Sequence, residues 1–146
     1  MDALAESGWQ RLGAEVRAAV DGAGNDYEAR LRAAGRAYVR FATRDPALLE
    51  LMFAGRRGRQ VSVVQEAAAR PFSVLVELLA EGQASGVLEP GDPERMALLL
   101  FATTQGIAAL VNARIVAPKR LDRLVADAIA RFLHGARIKE FSNHNP

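Results

Sequence analysis

Residues 96–111 read MALLLFATTQGIAALV, an almost unbroken apolar run with Thr103, Thr104 and Gln105 set into its middle. On a helical wheel Phe101, Gln105, Ala108 and Asn112 share one face and Leu100, Ile107 and Val111 another, with Thr104 between them. A third stripe, Ala102, Gly106, Ala109 and Ala113, holds only small residues, with Leu99 and Leu110 beside it. A helix apolar all round has to be covered all round. Either this is a central helix enclosed by its own domain, or one side packs inward and the small-residue stripe packs on a second copy, where small side chains let helix axes approach closely. The run is shorter than the roughly 20 residues of a spanning helix and has a polar centre, so no membrane span is expected.

Working outward, apolar positions recur at helical spacing nearly everywhere and no segment alternates as a strand does, which predicts an all-α fold of about six helices in an antiparallel bundle. A first helix near 2–21 aligns Ala5, Trp9, Leu12, Val16 and Val20, and ends at Asp21-Gly22 with Gly24-Asn25. The second, from about Asp26 to Arg44, turns Tyr27, Leu31, Ala34, Tyr38 and Phe41 inward. Asp45-Pro46 caps a short third helix running to Phe53. After the break GRRGR at 55–59 a fourth segment spans about Gln60 to Ser85, with Pro71 predicting a kink or two abutting helices. SGVLEPGDPE then punctuates the chain: Gly86 stops a helix, Asp92 caps the next and Pro93 takes its first position. The fifth helix is expected to reach about Arg114, and Pro118 precedes a sixth with Leu121, Leu124, Val125, Ala128 and Phe132 on its stripe. One domain, 1–140, is expected, followed by the polar tail 141–146.

At 146 residues, with half of them apolar, a quarter charged and a net charge of +2, the composition is that of a soluble globular domain without strong bias toward nucleic acid or membrane. The absence of cysteine excludes disulfides, thiolate metal sites and cysteine nucleophiles together. The start, MDALAESGWQ, lacks the basic and apolar regions of a signal peptide, so a cytoplasmic location is expected.

Chemical signals are sparse. Arg56, Arg57 and Arg59 form a basic loop, but nothing resembling a groove-reading helix accompanies them. His134 and His144 have neither metal-ligand spacing nor an acidic partner at helical spacing. Glu77 and Glu81 lie one turn apart, open to a paired-carboxylate reading but better explained as a solvated face. No nucleophile elbow, phosphate loop or zinc motif is present, so neither an enzyme nor a metal or cofactor site is expected.

The succession RAYVRFATRDPALLELMF, EGQASGVLEPGDPE and LLLFATTQGIAALV resembles the C-terminal domain of TetR-family transcriptional regulators, in particular the subgroup with a Trp-His-Gly signature. The likeness runs from LAESGWQRL in the first helix to the sixth helix. It implies a domain that binds a small, often apolar effector inside the bundle and forms a homodimer through its last two long helices, four helices in all across the pair. Two departures stand out. Phe101 falls near the signature tryptophan and Gln105-Gly106 where the subgroup has His-Gly, so no role of that histidine transfers. The three-helix DNA-binding head that opens family members has no room before Trp9, so DNA contact is expected only through a helix-turn-helix missing from this sequence.

The central triplet stays open between two readings. In one, Thr104 and Gln105 turn with Phe101 toward an apolar cavity walled by Phe41, Phe53, Phe72 and Val76, and the amide orients an apolar or amphipathic ligand bearing a carbonyl, hydroxyl or amide. In the other, Thr103 and Thr104 return their hydroxyls to carbonyls one turn back, Gln105 bonds a neighbouring helix and no cavity remains. The expected dimer contacts are Ala102, Gly106, Ala109 and Ala113 of the fifth helix with Leu121 and Val125 of the sixth. A headless helical interaction module that pairs with another regulator and binds no ligand is the alternative function.

Overall fold

The computed structural model describes residues 3–54 and 63–136, with backbone only for 63–70. Among them are six α-helices and no strand: α1 (Ala3–Gly22), α2 (Tyr27–Arg44), α3 (Pro46–Ala54), α4 (Val63–Ala84), α5 (Pro93–Asn112) and α6 (Leu121–Ala136), the last entered through a 3-10 turn at Pro118–Arg120. Helix starts follow the local chemistry. The carboxylates of Asp26, Asp45 and Asp92 accept from the amides of Ala29 at 2.9 Å, Leu48 at 3.0 Å and Glu94 at 2.9 Å, satisfying donors that have no partner inside the helix. At the end of α4 the amides of Val87 and Leu88 return to the Gly82 carbonyl, a closure that needs Gly86 at φ +78, where a glycine pays no Cβ penalty.

Of the two outcomes predicted at Pro71, a kink or two abutting helices, the second does not occur: a single helix runs through it. Proline removes one amide donor, and packing of α4 against α1 and α5 supports the turns on either side. The GRRGR run at 55–59, expected as a break, the residues before Val63, His144 and the tail 141–146 lie outside the described residues.

Helix α2 is the hub, packing against α1, α3, α4, α5 and α6. The predicted α1 stripe is buried throughout, as are Leu31, Ala34, Tyr38 and Phe41 of α2. The end of α6 is tied back by the Glu89 amide, which donates to the Ala136 carbonyl at 2.8 Å. Leu121 and Val125, expected at a dimer contact, instead lie in this core at 6% and 1% exposure. Val125 sits where α2 and α6 come close: a Cβ at Gly35 would meet its Cγ1 at 3.2 Å, so the close approach depends on glycine.

Helix α5 is not enclosed. Ala97, Leu100, Thr104, Ile107, Ala108 and Val111 are buried, while Ala102, Gly106, Ala109 and Ala113 are exposed, together with Leu98, Leu99 and Leu110 at 60%, 66% and 41%. By length and composition alone α5, longer than its apolar run, is able to cross a membrane. Its inner face is nevertheless packed into the common core with α2, α4 and α6.

Candidate functional site

A cavity of about 290 Å³ lies where α1, α2, α4 and α5 pack around one another. From α1 come Trp9, Leu12 and Val16, and from α2 Ala34, Gly35 and Tyr38. Helix α4 contributes Pro71, Phe72 and Leu75, and α5 contributes Leu98, Leu100, Phe101 and Thr104. Side-chain size contributes to the space: Ala34 brings only a methyl group to a wall otherwise built largely of bulky aromatic and aliphatic side chains. Phe101 is the centre of the aromatic wall, its ring 5.1 Å from Tyr38, 6.4 Å from Phe72 and 6.5 Å from Phe53. These tilted and edge-on arrangements suit the quadrupoles of the rings.

Of the residues expected to form a ligand site, Phe72, Phe101 and Thr104 line the cavity and the others do not. Phe53 stands behind the wall, edge-on to Trp9 at 5.2 Å. Phe41 is buried on another side of α2, beneath the guanidinium groups of Arg44 at 5.5 Å and Arg11 at 5.9 Å. Val76 is half-buried against the core but not on the cavity. Gln105 is half-buried and holds the wall from behind, accepting the Tyr38 hydroxyl on Oε1.

The triplet combines features of both readings. Thr103 is exposed and donates to the Leu99 carbonyl at 3.0 Å, and Thr104 donates to the Phe101 carbonyl at 2.9 Å. Gln105 bonds a neighbouring helix, yet a cavity is present. Sequence reasoning missed Trp9, Leu12, Val16 and Leu75, whose apolar pattern is that of any core position. The usable signal was the small Ala34 one turn before Tyr38 on the inward face of α2.

Glu77 and Glu81 are not a carboxylate pair: each meets an arginine of another helix, Arg17 at 2.7 Å and Arg30 at 2.8 Å. These exposed pairs add little stability. Among the described residues no cluster of His, Cys, Asp or Glu fits a metal ion.

Burial pushes the Tyr38 phenol far above its ordinary value, and burial followed by the nearby Glu81 carboxylate raises Tyr27, which donates to the Leu78 carbonyl at 2.8 Å, from 10.0 to about 12. A phenol whose pKa is higher folded than unfolded contributes its full stabilisation below about pH 10 and loses it as pH climbs toward the folded value. The melting temperature is therefore expected to fall with rising pH above about 10, and Tyr27→Phe and Tyr38→Phe each to flatten that fall. Equal slopes for wild type and both variants would refute this.

Comparison with known families gives a match to the model described as tetracyclin repressor-like, C-terminal domain, over residues 31–132. Among solved structures the chain is similar to a protein of unknown function from Rhodococcus sp. RHA1, with 36% identity, a TM-score of 0.87, and coverage of 93% of this chain and 71% of that one. No curated protein matches.

Proposed function

This chain belongs to the tetracyclin repressor-like C-terminal domain family, and from that premise we propose that it is the effector-sensing and dimerisation domain of a cytoplasmic transcriptional regulator rather than an enzyme. The observation that carries the sensing half is the cavity: about 290 Å³, walled by aromatic and aliphatic side chains with a few hydroxyls, close to the composition of small-molecule sites in general. It is roughly twice the size of an engineered cavity that holds benzene, which suits a bicyclic or medium-chain apolar or amphipathic molecule and calls for no cofactor. The dimerisation half rests on α5. Of five large apolar side chains exposed among the described residues, Leu98, Leu99 and Leu110 lie on this helix and Ile115 just beyond it. DNA contact falls to a helix-turn-helix not contained in these 146 residues.

The sensing half is tested by thermal unfolding in the presence of neutral bicyclic and medium-chain compounds. A ligand at about a hundred times its Kd stabilises the folded state by about 2.7 kcal/mol, which raises the melting temperature by several degrees. A panel in which no compound stabilises the protein would leave a pairing module that binds no ligand.

A further inference from the structure

The cavity also carries information about which end of a ligand it recognises. None of its described lining residues is charged, and two of them bring hydroxyls, Tyr38 and Thr104. Both hydroxyl protons are committed inside the protein: Tyr38 donates to Gln105 Oε1, and Thr104 donates to the carbonyl of Phe101. A hydroxyl has one proton and two lone pairs, so a hydroxyl that has given its proton away can only accept from a third group. The remaining polar hydrogen on the described wall belongs to the indole of Trp9, whose ring meets Phe53 edge to face.

Resting on the sensing reading above, we infer that the cavity selects an uncharged, largely apolar ligand that presents a hydrogen-bond donor, a hydroxyl or an N–H, to the oxygens of Tyr38 and Thr104, and that Gln105 sets this preference by holding the Tyr38 proton. An anionic ligand meets two lone-pair-bearing oxygens and no cation among the described lining residues, and a buried charge without a partner is strongly disfavoured. At those two oxygens a ligand whose polar group is only an acceptor meets lone pair to lone pair, since both hydroxyl protons are already given away. Gln105 is thus a positioning residue. The Tyr38 phenol stays protonated through the whole physiological range, since burial raises its pKa, so the arrangement does not titrate away.

The test uses the whole chain and four probes of similar size at neutral pH: naphthol, which donates; acetylnaphthalene, which only accepts; naphthalene, which does neither; and naphthoate, which is charged. Affinities are read by calorimetry. Naphthol is expected to bind about fivefold more tightly than naphthalene or acetylnaphthalene, as one additional hydrogen bond implies, and naphthoate not at all. Tyr38→Phe keeps the ring and is expected to narrow the naphthol-to-naphthalene affinity ratio, both measured in the same variant. Gln105→Leu frees the Tyr38 proton and is expected to raise the affinity for acetylnaphthalene about fivefold, whereas a merely loosened fold weakens every probe. Naphthalene, acetylnaphthalene or naphthoate binding the wild type as tightly as naphthol, or a ranking unmoved by Tyr38→Phe, overturns the donor preference and leaves the sensing reading standing. Failure of Gln105→Leu to favour acetylnaphthalene overturns the assignment of Gln105. If none of the four probes binds, the sensing reading fails and the preference with it.

Discussion

Gly106→Leu is expected to convert a dimer into a folded monomer. A Cβ built at Gly106 meets nothing within 4 Å inside the protomer, so a larger side chain there costs the isolated fold little. Across a pair of α5 helices the same side chain lands in the stripe of Ala102, Gly106, Ala109 and Ala113, all exposed, and forces the axes apart. Overpacking of this kind costs about 1–3 kcal/mol, roughly a 5- to 150-fold rise in the dimer dissociation constant. Sedimentation should show wild type as a dimer at about ten micromolar and the variant shifted to monomer, with matching circular dichroism and melting behaviour. A variant that stays dimeric moves the interface away from this stripe. Leu99→Asp, a charge at a leucine 66% exposed, is expected to act in the same direction. The interface in this picture uses less of α6 than the sequence suggested, because Leu121 and Val125 are spent on the protomer's own core.

Phe101→Ala is expected to be a damaging truncation in the cavity wall. Its ring faces those of Tyr38, Phe53 and Phe72, so removal both deletes buried surface and leaves three aromatic neighbours without support. Truncating a phenylalanine in a core costs about 3–5 kcal/mol, and the half-buried position beside existing space places this one near the lower end. For a domain of this size that corresponds to a loss of melting temperature on the order of 10 °C. Leu98→Ala is the contrast: it lines the same cavity but is 60% exposed in the protomer, and in the monomeric Gly106→Leu background its loss is expected to change stability by less than about 0.5 kcal/mol. Equal losses for the two variants in urea unfolding would contradict the packing described.

The helices and their boundaries were legible because their causes are local. Asp26, Asp45 and Asp92 cap with their own side chains, Gly86 takes a backbone conformation other residues avoid, and the stripe on α1 follows from a period of 3.6 residues. Whether Pro71 divides α4 was not legible, for the opposite reason: what keeps the helix in one piece is the packing of other helices, which no local rule contains.

The all-α class, the order of the helices and the all-round apolar character of α5 were therefore determined by the sequence alone, whereas the exposure of its small-residue stripe was not. Which apolar residues meet was decided only by the tertiary structure. Phe41 and Phe101 look alike as inward aromatics, yet the rotation of α2 sends one beneath two arginines and the other helix carries its ring to the cavity. Leu121 and Val125 share a stripe with Ala128 and Phe132, and only the approach of α6 to α2 at Gly35 decides that Val125 is consumed there. A helical stripe fixes a direction from one axis; a cavity or an interface is the meeting of several axes, and their separations depend on side chains far apart in the chain.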